Sequence, residues 1–245
     1  MIYGKNIKFN GVDLYQRYKL KCVSLETNKE QDFGIFRTNT FNNNKYIGCD
    51  DNVFNVTITF AKVDVNNVPI KMSENEIEEY KRLFFKKEIN IVQYNSRVYY
   101  LLSSNAKINK SFNYITVEFE SASPYAYTPI INELITTDRF KEFRVNNMGI
   151  TDTYADCIVE IFDNVNRVRD SANVKVSNLT TGKSVEFTVK LGETVELRGK
   201  EHEVIGKDDL ILNDVLKLTT GVNRFVVKTD EFINLNLKWQ CEMGL

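Results

Sequence analysis

The sequence predicts a mainly β protein with one helix: an N-terminal α+β domain, a β-sandwich or split barrel carrying that helix, followed by a C-terminal β-sandwich. Three observations carry this. Several segments alternate strictly between apolar and polar residues, the mark of strands buried on one side. A single stretch, residues 73–87, has helical spacing with charges matched to a helix dipole. Aromatic content is high, with 16 Phe and 12 Tyr against 3 Pro and 11 Gly, which suits pleated sheets.

In chain order, Phe54, Val56, Ile58 and Phe60 share one face while Asn55, Thr57 and Thr59 take the other. The helix follows, opened by Ser73 and Glu76 at capping-box spacing, with Ile77, Tyr80 and Phe84 as its buried stripe. Ile115, Val117 and Phe119 form a second alternating strand that runs into Ser121-Ala122-Ser123-Pro124, where proline ends ladder pairing. Residues 124 to about 145 contain two of the prolines and no sustained alternation, which reads as a crossing segment. The expected domains are 1–137, including the start of that segment, and 138–245. In the second, Val185, Phe187, Val189 and Leu191 alternate after a turn at Thr180–Lys183, and short strands recur near 193–198, 201–205, 209–218 and 223–228, the spacing of a sandwich. Ile233, Leu235, Leu237, Trp239 and Cys241 point one way in the last strand, so the only tryptophan reads as core.

At 245 residues and 42% hydrophobic, the chain can bury substantial cores. Its net charge of -1 excludes a global pull toward nucleic acid or acidic surfaces. The basic and aromatic stretches Lys81–Lys87 and Lys107–Tyr114 are too sparse for a dedicated nucleic-acid site. No run approaches the roughly 20 apolar residues that span a bilayer, and the N-terminus lacks a signal-peptide core. Cys22, Cys49, Cys157 and Cys241 are too far apart for a CxxC motif and read as reduced, buried thiols. Candidate chemistry is thin. His202 is the only histidine, and it sits in a charged run without a GxSxG partner. Asp50-Asp51 and Asp208-Asp209 lie outside any DxDxDG-type loop and read as turn residues. No phosphate-binding glycine motif is present. No catalytic residue, cofactor or metal is expected.

Four motifs, in order along the chain, resemble the distal tail proteins of long-tailed (siphovirus-type) bacteriophages or prophages. Ile7-Lys8-Phe9-Asn10-Gly11-Val12-Asp13-Leu14 looks like their N-terminal strand and Asn-Gly turn. Val117 to Tyr127, with Ser123-Pro124-Tyr125, looks like the element closing their first domain. Asn146-Asn147-Met148-Gly149 before the strand Cys157–Phe162 resembles the start of their second domain, and Gly221-Val222-Asn223 their penultimate turn. The Asn-rich stretch Thr38–Asp51 replaces a Gly-rich one, and a proline common near Ala155 is missing.

The resemblance implies a non-enzymatic virion component, made in the host cytoplasm, that forms a homohexameric ring in the tail tip or baseplate. It would bind the tail tube protein, a tail-tip protein and a receptor-binding protein, and DNA only in passage, with no membrane insertion. The second domain would be a galectin-like sandwich. The Thr38–Asp51 stretch reads either as an arm for a neighbouring subunit or as a loop tip. Two rival functions stand beside this one: a carbohydrate-binding module using aromatics such as Tyr154, and a hydrolase using His202 or a carboxylate pair.

Overall fold

The computed structural model describes residues 4–28, 35–40, 43–49, 54–86, 89–111, 113–162, 169–206 and 214–244. The chain forms two compact units, the first ending at Ala126 and the second running from Tyr127 to Gly244.

The first unit contains β1 (Lys8–Phe9), β2 (Val12–Asp13), α1 (Leu14–Tyr18), β3 (Leu20–Asn28), β4 (Ile35–Thr40), β5 (Asn43–Cys49), β6 (Asn55–Lys62), α2 (Glu74–Phe84), β7 (Asn90–Tyr94), β8 (Arg97–Ser111) and β9 (Tyr114–Ser121); β10 (Ala126–Tyr127) falls on the boundary. Its main sheet runs β2-β1-β7-β8-β9-β6-β3, antiparallel throughout. The two strands anticipated from alternation lie side by side: Val56 pairs with Phe119, Ile58 with Val117 and Phe60 with Ile115, all buried. Their polar face carries a Thr59–Thr116 hydroxyl contact of 3.1 Å.

Helix α2 covers the apolar face of this sheet. Ser73 Oγ accepts from the Glu76 amide at 3.3 Å and Glu76 Oε2 accepts from the Ser73 amide at 2.9 Å, the reciprocal capping box its spacing foretold. The helix stops at Phe84, sooner than expected, and Phe85 is partly exposed. Ile77, Tyr80 and Phe84 are buried. The Phe84 ring stacks on Phe60 at 5.2 Å and meets Phe9 edge-on at 5.1 Å and Phe119 at 6.3 Å. Helix, N-terminal hairpin and both central strands therefore converge on one aromatic cluster. An ion pair between Lys62 and Glu76 joins the end of β6 to the first helical turn and holds the Glu76 carboxyl below the usual carboxylate range.

One correction applies here. There are two helices, not one: α1 is a single turn capped by Asp13, whose carboxylate accepts from the Gln16 amide at 3.0 Å. Only Leu14 of this turn is buried, so it has no apolar stripe to announce it. Over most of its length the Thr38–Asp51 stretch pairs its backbone as the β4–β5 hairpin, Thr40 opposite Asn43. Asp50 and Asp51 lie outside the described residues.

The second unit contains β11 (Ile131–Thr137), β12 (Phe140–Asn147), β13 (Thr153–Tyr154), β14 (Asp156–Ile161), β15 (Ser171–Asn178), β16 (Lys183–Lys190), β17 (Thr194–Arg198), β18 (Glu203–Ile205), β19 (Lys217–Leu218), β20 (Gly221–Thr229), β21 (Ile233–Trp239) and β22 (Glu242–Met243). One sheet runs β11-β21-β14-β17-β18, another β12-β20-β15-β16. Their inner faces enclose a core that includes Val159, Val174, Phe187, Phe225, Leu235 and Leu237, which makes this unit a β-sandwich. The alternating faces anticipated for 185–189 and 233–241 are its buried faces.

The segment 124–145, expected as a crossing without sustained alternation, carries β11 and most of β12. β11 pairs with β21 from Ile131–Trp239 to Thr137–Ile233, so residues 131–137 belong to the sandwich. The signal was weak for a physical reason. Both are edge strands, and they bury little beyond Ile135 and Thr137 in one and Val145 and Asn147 in the other, so no alternation builds up.

Truncating Phe84 to Ala should remove the centre of the aromatic cluster and cost about 3–5 kcal/mol in the first unit's unfolding transition. Leu134→Ala, at a 70% exposed position, should change stability by less than about 0.5 kcal/mol. Urea denaturation of both variants measures the contrast.

Candidate functional site

The residues singled out by the four motifs are turn and closure residues. In the β1–β2 hairpin, Asn10 and Gly11 both take positive φ, 49° and 78°, the pair of left-handed conformations a two-residue type I′ turn requires. Asn10 also clamps the hairpin to β7: its Oδ1 accepts from the Ile91 amide at 2.8 Å, its Nδ2 donates to Asn90 Oδ1 at 2.9 Å, and its own amide donates to the Ile91 carbonyl at 2.8 Å. Phe9 is thereby delivered to the aromatic cluster, and Asp13 and Leu14 begin α1.

At the far end of β9, Ser121 is buried; its hydroxyl accepts from the Phe54 amide at 3.0 Å and donates to the Ser123 carbonyl at 2.8 Å. Ser123 Oγ accepts from the Tyr125 amide at 3.3 Å, folding Pro124 into a tight bend.

In the second unit, the motif residues Gly149, Gly221 and Asn223 belong to two systems. Gly149 has no room for a side chain: a Cβ would lie 2.8 Å from the Glu242 carbonyl and 3.0 Å from Cys241 Cβ. Its amide donates to Asn147 Oδ1 at 2.9 Å. Gly221 opens β20, and the buried Asn223 closes the turn before it. Its Oδ1 accepts from the Thr219 amide at 3.1 Å, and its Nδ2 donates to the carbonyls of Thr219 (2.7 Å) and Gly221 (3.0 Å). Asn178 Nδ2 joins Asn223 Oδ1 at 3.1 Å and the Lys217 carbonyl at 2.7 Å, while Asn147 Nδ2 reaches the Leu218 carbonyl at 3.3 Å. Three buried amides thus satisfy the irregular backbone around 217–221. Asn178 was missed in the sequence. Its signal is an Asn on the buried register of a strand, where an apolar residue belongs.

Of the residues weighed for catalysis, His202 alone is among the described residues. His202 occupies a turn with φ 54°, its ring 6.2 Å from that of Tyr154, and no described carboxylate or hydroxyl bonds it. Asp208 and Asp209 lie outside the described residues. Among the described residues no group of three or more His, Cys, Asp and Glu side chains could hold a metal ion. Cys22, Cys157 and Cys241 are buried free thiols, and burial pushes Cys22 and Cys157 up to about 12, so they are poor nucleophiles.

The described residues do frame a cavity of about 370 Å³ at one end of the sandwich, walled in part by Tyr154, Asp156, Trp239 and Gln240. Trp239 is 6% exposed and packs with the core as expected, and the residue also lines this space. Asp156 Oδ1 accepts from the Gly199 amide at 3.0 Å, and burial raises its carboxyl above the ordinary value. Asp152, also in the wall, pairs with Lys217 at 2.8 Å, which holds its carboxyl below that value.

Asn223→Ala should leave several buried backbone groups unpaired and cost roughly 2–4 kcal/mol in the second unit, read by denaturation. Asp156 titrates with a pKa raised on folding, so the stability it contributes is complete below its unfolded value near 3.8 and is lost as pH rises through the folded value. Asp156→Asn, which keeps an acceptor for Gly199, should be more stable than wild type at neutral pH and flatten that pH dependence in thermal melts.

No protein-family model and no curated protein matches this chain. Among solved structures it is similar to the crystal structure of SPP1 Dit (gp 19.1), described as a paradigm of the hub adsorption apparatus in phages infecting Gram-positive bacteria, with a TM-score of 0.60 and 14% sequence identity. The likeness covers 96% of this chain and 98% of that one. The fold of this chain is therefore that of a phage Dit protein over nearly its whole length, in line with the resemblance carried by the four motifs.

Proposed function

We propose that this chain is a structural hub protein of a phage tail tip, forming a hexameric ring that joins the tail tube to the tip and receptor-binding assembly. The observation that carries this reading is the near end-to-end fold likeness to SPP1 Dit, whose 96% coverage takes in both units of this chain. The motif residues support it, because they are the turns and closures that give the two units their shape. Exposed apolar groups on sandwich edges add to it: Leu134 on β11 and Phe140 on β12 are 70% and 57% exposed, and such edges favour contact with other chains.

On this reading the protein works by geometry. A closed heterologous ring meets the tail tube protein on one side and tail-tip and receptor-binding proteins on the other, and leaves an opening for DNA. DNA must pass without sticking, and a net charge of -1 suits that. No bond is made or broken, and no cofactor is needed. The protein would be made in the host cytoplasm and end in the virion.

Mass measurement and negative-stain imaging of the concentrated full chain, alone and with the tail tube protein, test the proposal. Sixfold rings are expected in at least one condition; a strict monomer in both would overturn it. In a hydrolase screen, wild type and His202→Ala should be indistinguishable, and an activity abolished by that change would favour the enzymatic rival.

A further inference from the structure

We infer that Asn10-Gly11 is a covalent modification site, a point of succinimide-forming deamidation that the docked β1–β2 hairpin holds shut and that opens when the hairpin lifts from β7. This goes beyond the ring reading and does not depend on it.

The turn brings the lability with it. Two consecutive residues at positive φ, 49° and 78°, select Asn followed by Gly, and Asn10-Gly11 is the only such pair in the sequence. Asparagine is a thermolabile residue, most of all before glycine, whose missing side chain leaves the amide nitrogen open to approach the carboxamide carbon. Gly11 is exposed, and nothing lies within 4 Å of where its Cβ would stand. In the reaction the Gly11 nitrogen bonds to Asn10 Cγ and gives its proton to solvent, while the Cγ–Nδ2 bond breaks and that nitrogen leaves as ammonia. Water then opens the succinimide at either carbonyl, leaving an aspartate or an isoaspartate at position 10.

The fold opposes the first of these steps. Asn10 Oδ1 accepts from the Ile91 amide at 2.8 Å and Nδ2 donates to Asn90 Oδ1 at 2.9 Å, so the carboxamide is held at both ends on β7 and is not free to turn its carbon toward the Gly11 nitrogen. Asn90 is buried, which shields its bond from competing water. The Asn10 amide donates to the Ile91 carbonyl at 2.8 Å, and the buried Phe9 beside it anchors the same turn against Phe84. Clamp and docked hairpin therefore open together, and the reaction draws on that open population.

Modification is one-way. An isoaspartate adds a carbon to the main chain inside a two-residue turn, and the pairing of Phe9 with Val12 and Lys8 with Asp13 no longer closes over it. An aspartate puts an acceptor where Nδ2 donated, opposite Asn90 Oδ1.

The full chain is incubated at mildly alkaline pH, folded in buffer and unfolded in guanidinium chloride. Peptide mapping by mass spectrometry follows the replacement of ammonia by water at each asparagine, and hydrogen exchange of the Ile91 amide, read by NMR, measures how often the clamp opens. Unfolded, Asn10 should react before every other asparagine. Folded, its rate should fall about tenfold or more, and by no less than the factor by which Ile91 exchange is slowed. Phe9→Leu, which loosens the anchor without emptying it, should raise Ile91 exchange and folded deamidation together and leave the unfolded rate unchanged. Chain carrying isoaspartate, returned to buffer, should leave the Ile91 amide unprotected. Another asparagine reacting first in the unfolded chain overturns the inference, as does a folded rate slowed less than Ile91 exchange. So does a Phe9→Leu chain whose exchange rises without deamidation, or an isoaspartate chain that regains full Ile91 protection.

Discussion

Wherever a sheet ends, backbone N–H and C=O groups leave the ladder, and those that are buried must find partners. This chain meets that demand with short side chains. Asn10 ties the first hairpin to β7, Ser121 closes β9 on Phe54, and Asn147, Asn178 and Asn223 jointly hold the turn around 217–221. Each sits in or beside a buried face, where the lower dielectric strengthens its bonds and makes their loss costly. The hydrophobic faces decide which strands can pack; these amides and hydroxyls decide where the strands stop. The Asn-rich composition is in part a consequence.

The same division explains what was legible in the sequence. Strands buried on one side announce themselves by period two, so 54–60, 115–119, 185–189 and 233–239 were read with the correct faces. The capping box at Ser73 and Glu76 works through local contacts alone, and it appeared as written. Edge strands β11 and β12 have few buried neighbours and left too little pattern. Helix α1 has one buried residue and a cap, below what spacing can reveal. The buried amides could be seen as letters but not as a network, because Asn178 and Asn223 are brought together by sheet pairing between β15 and β20.

Trp239 shows the limit of periodicity in a different way. Its register on β21 places it with the core, and it is buried. Register says nothing of what lies beyond the last residue of a strand. The sandwich ends there, and the polar groups around the neighbouring cavity come from β13 and the residue before it, β14, the turn after β17, and the end of β21 with the chain that follows. Such a site is assembled from residues distant in sequence, and no local motif encodes it.

The buried thiols have a consequence for the covalent stability of the chain. Cys22, Cys157 and Cys241 have no surface exposure, and those of Cys22 and Cys157 resist ionisation through the neutral range. A protein folded in a reducing cell and then carried into oxidising surroundings would keep these sulfurs unchanged, without disulfides to form or rearrange in transit. At these three positions its covalent structure would stay the one with which it folded.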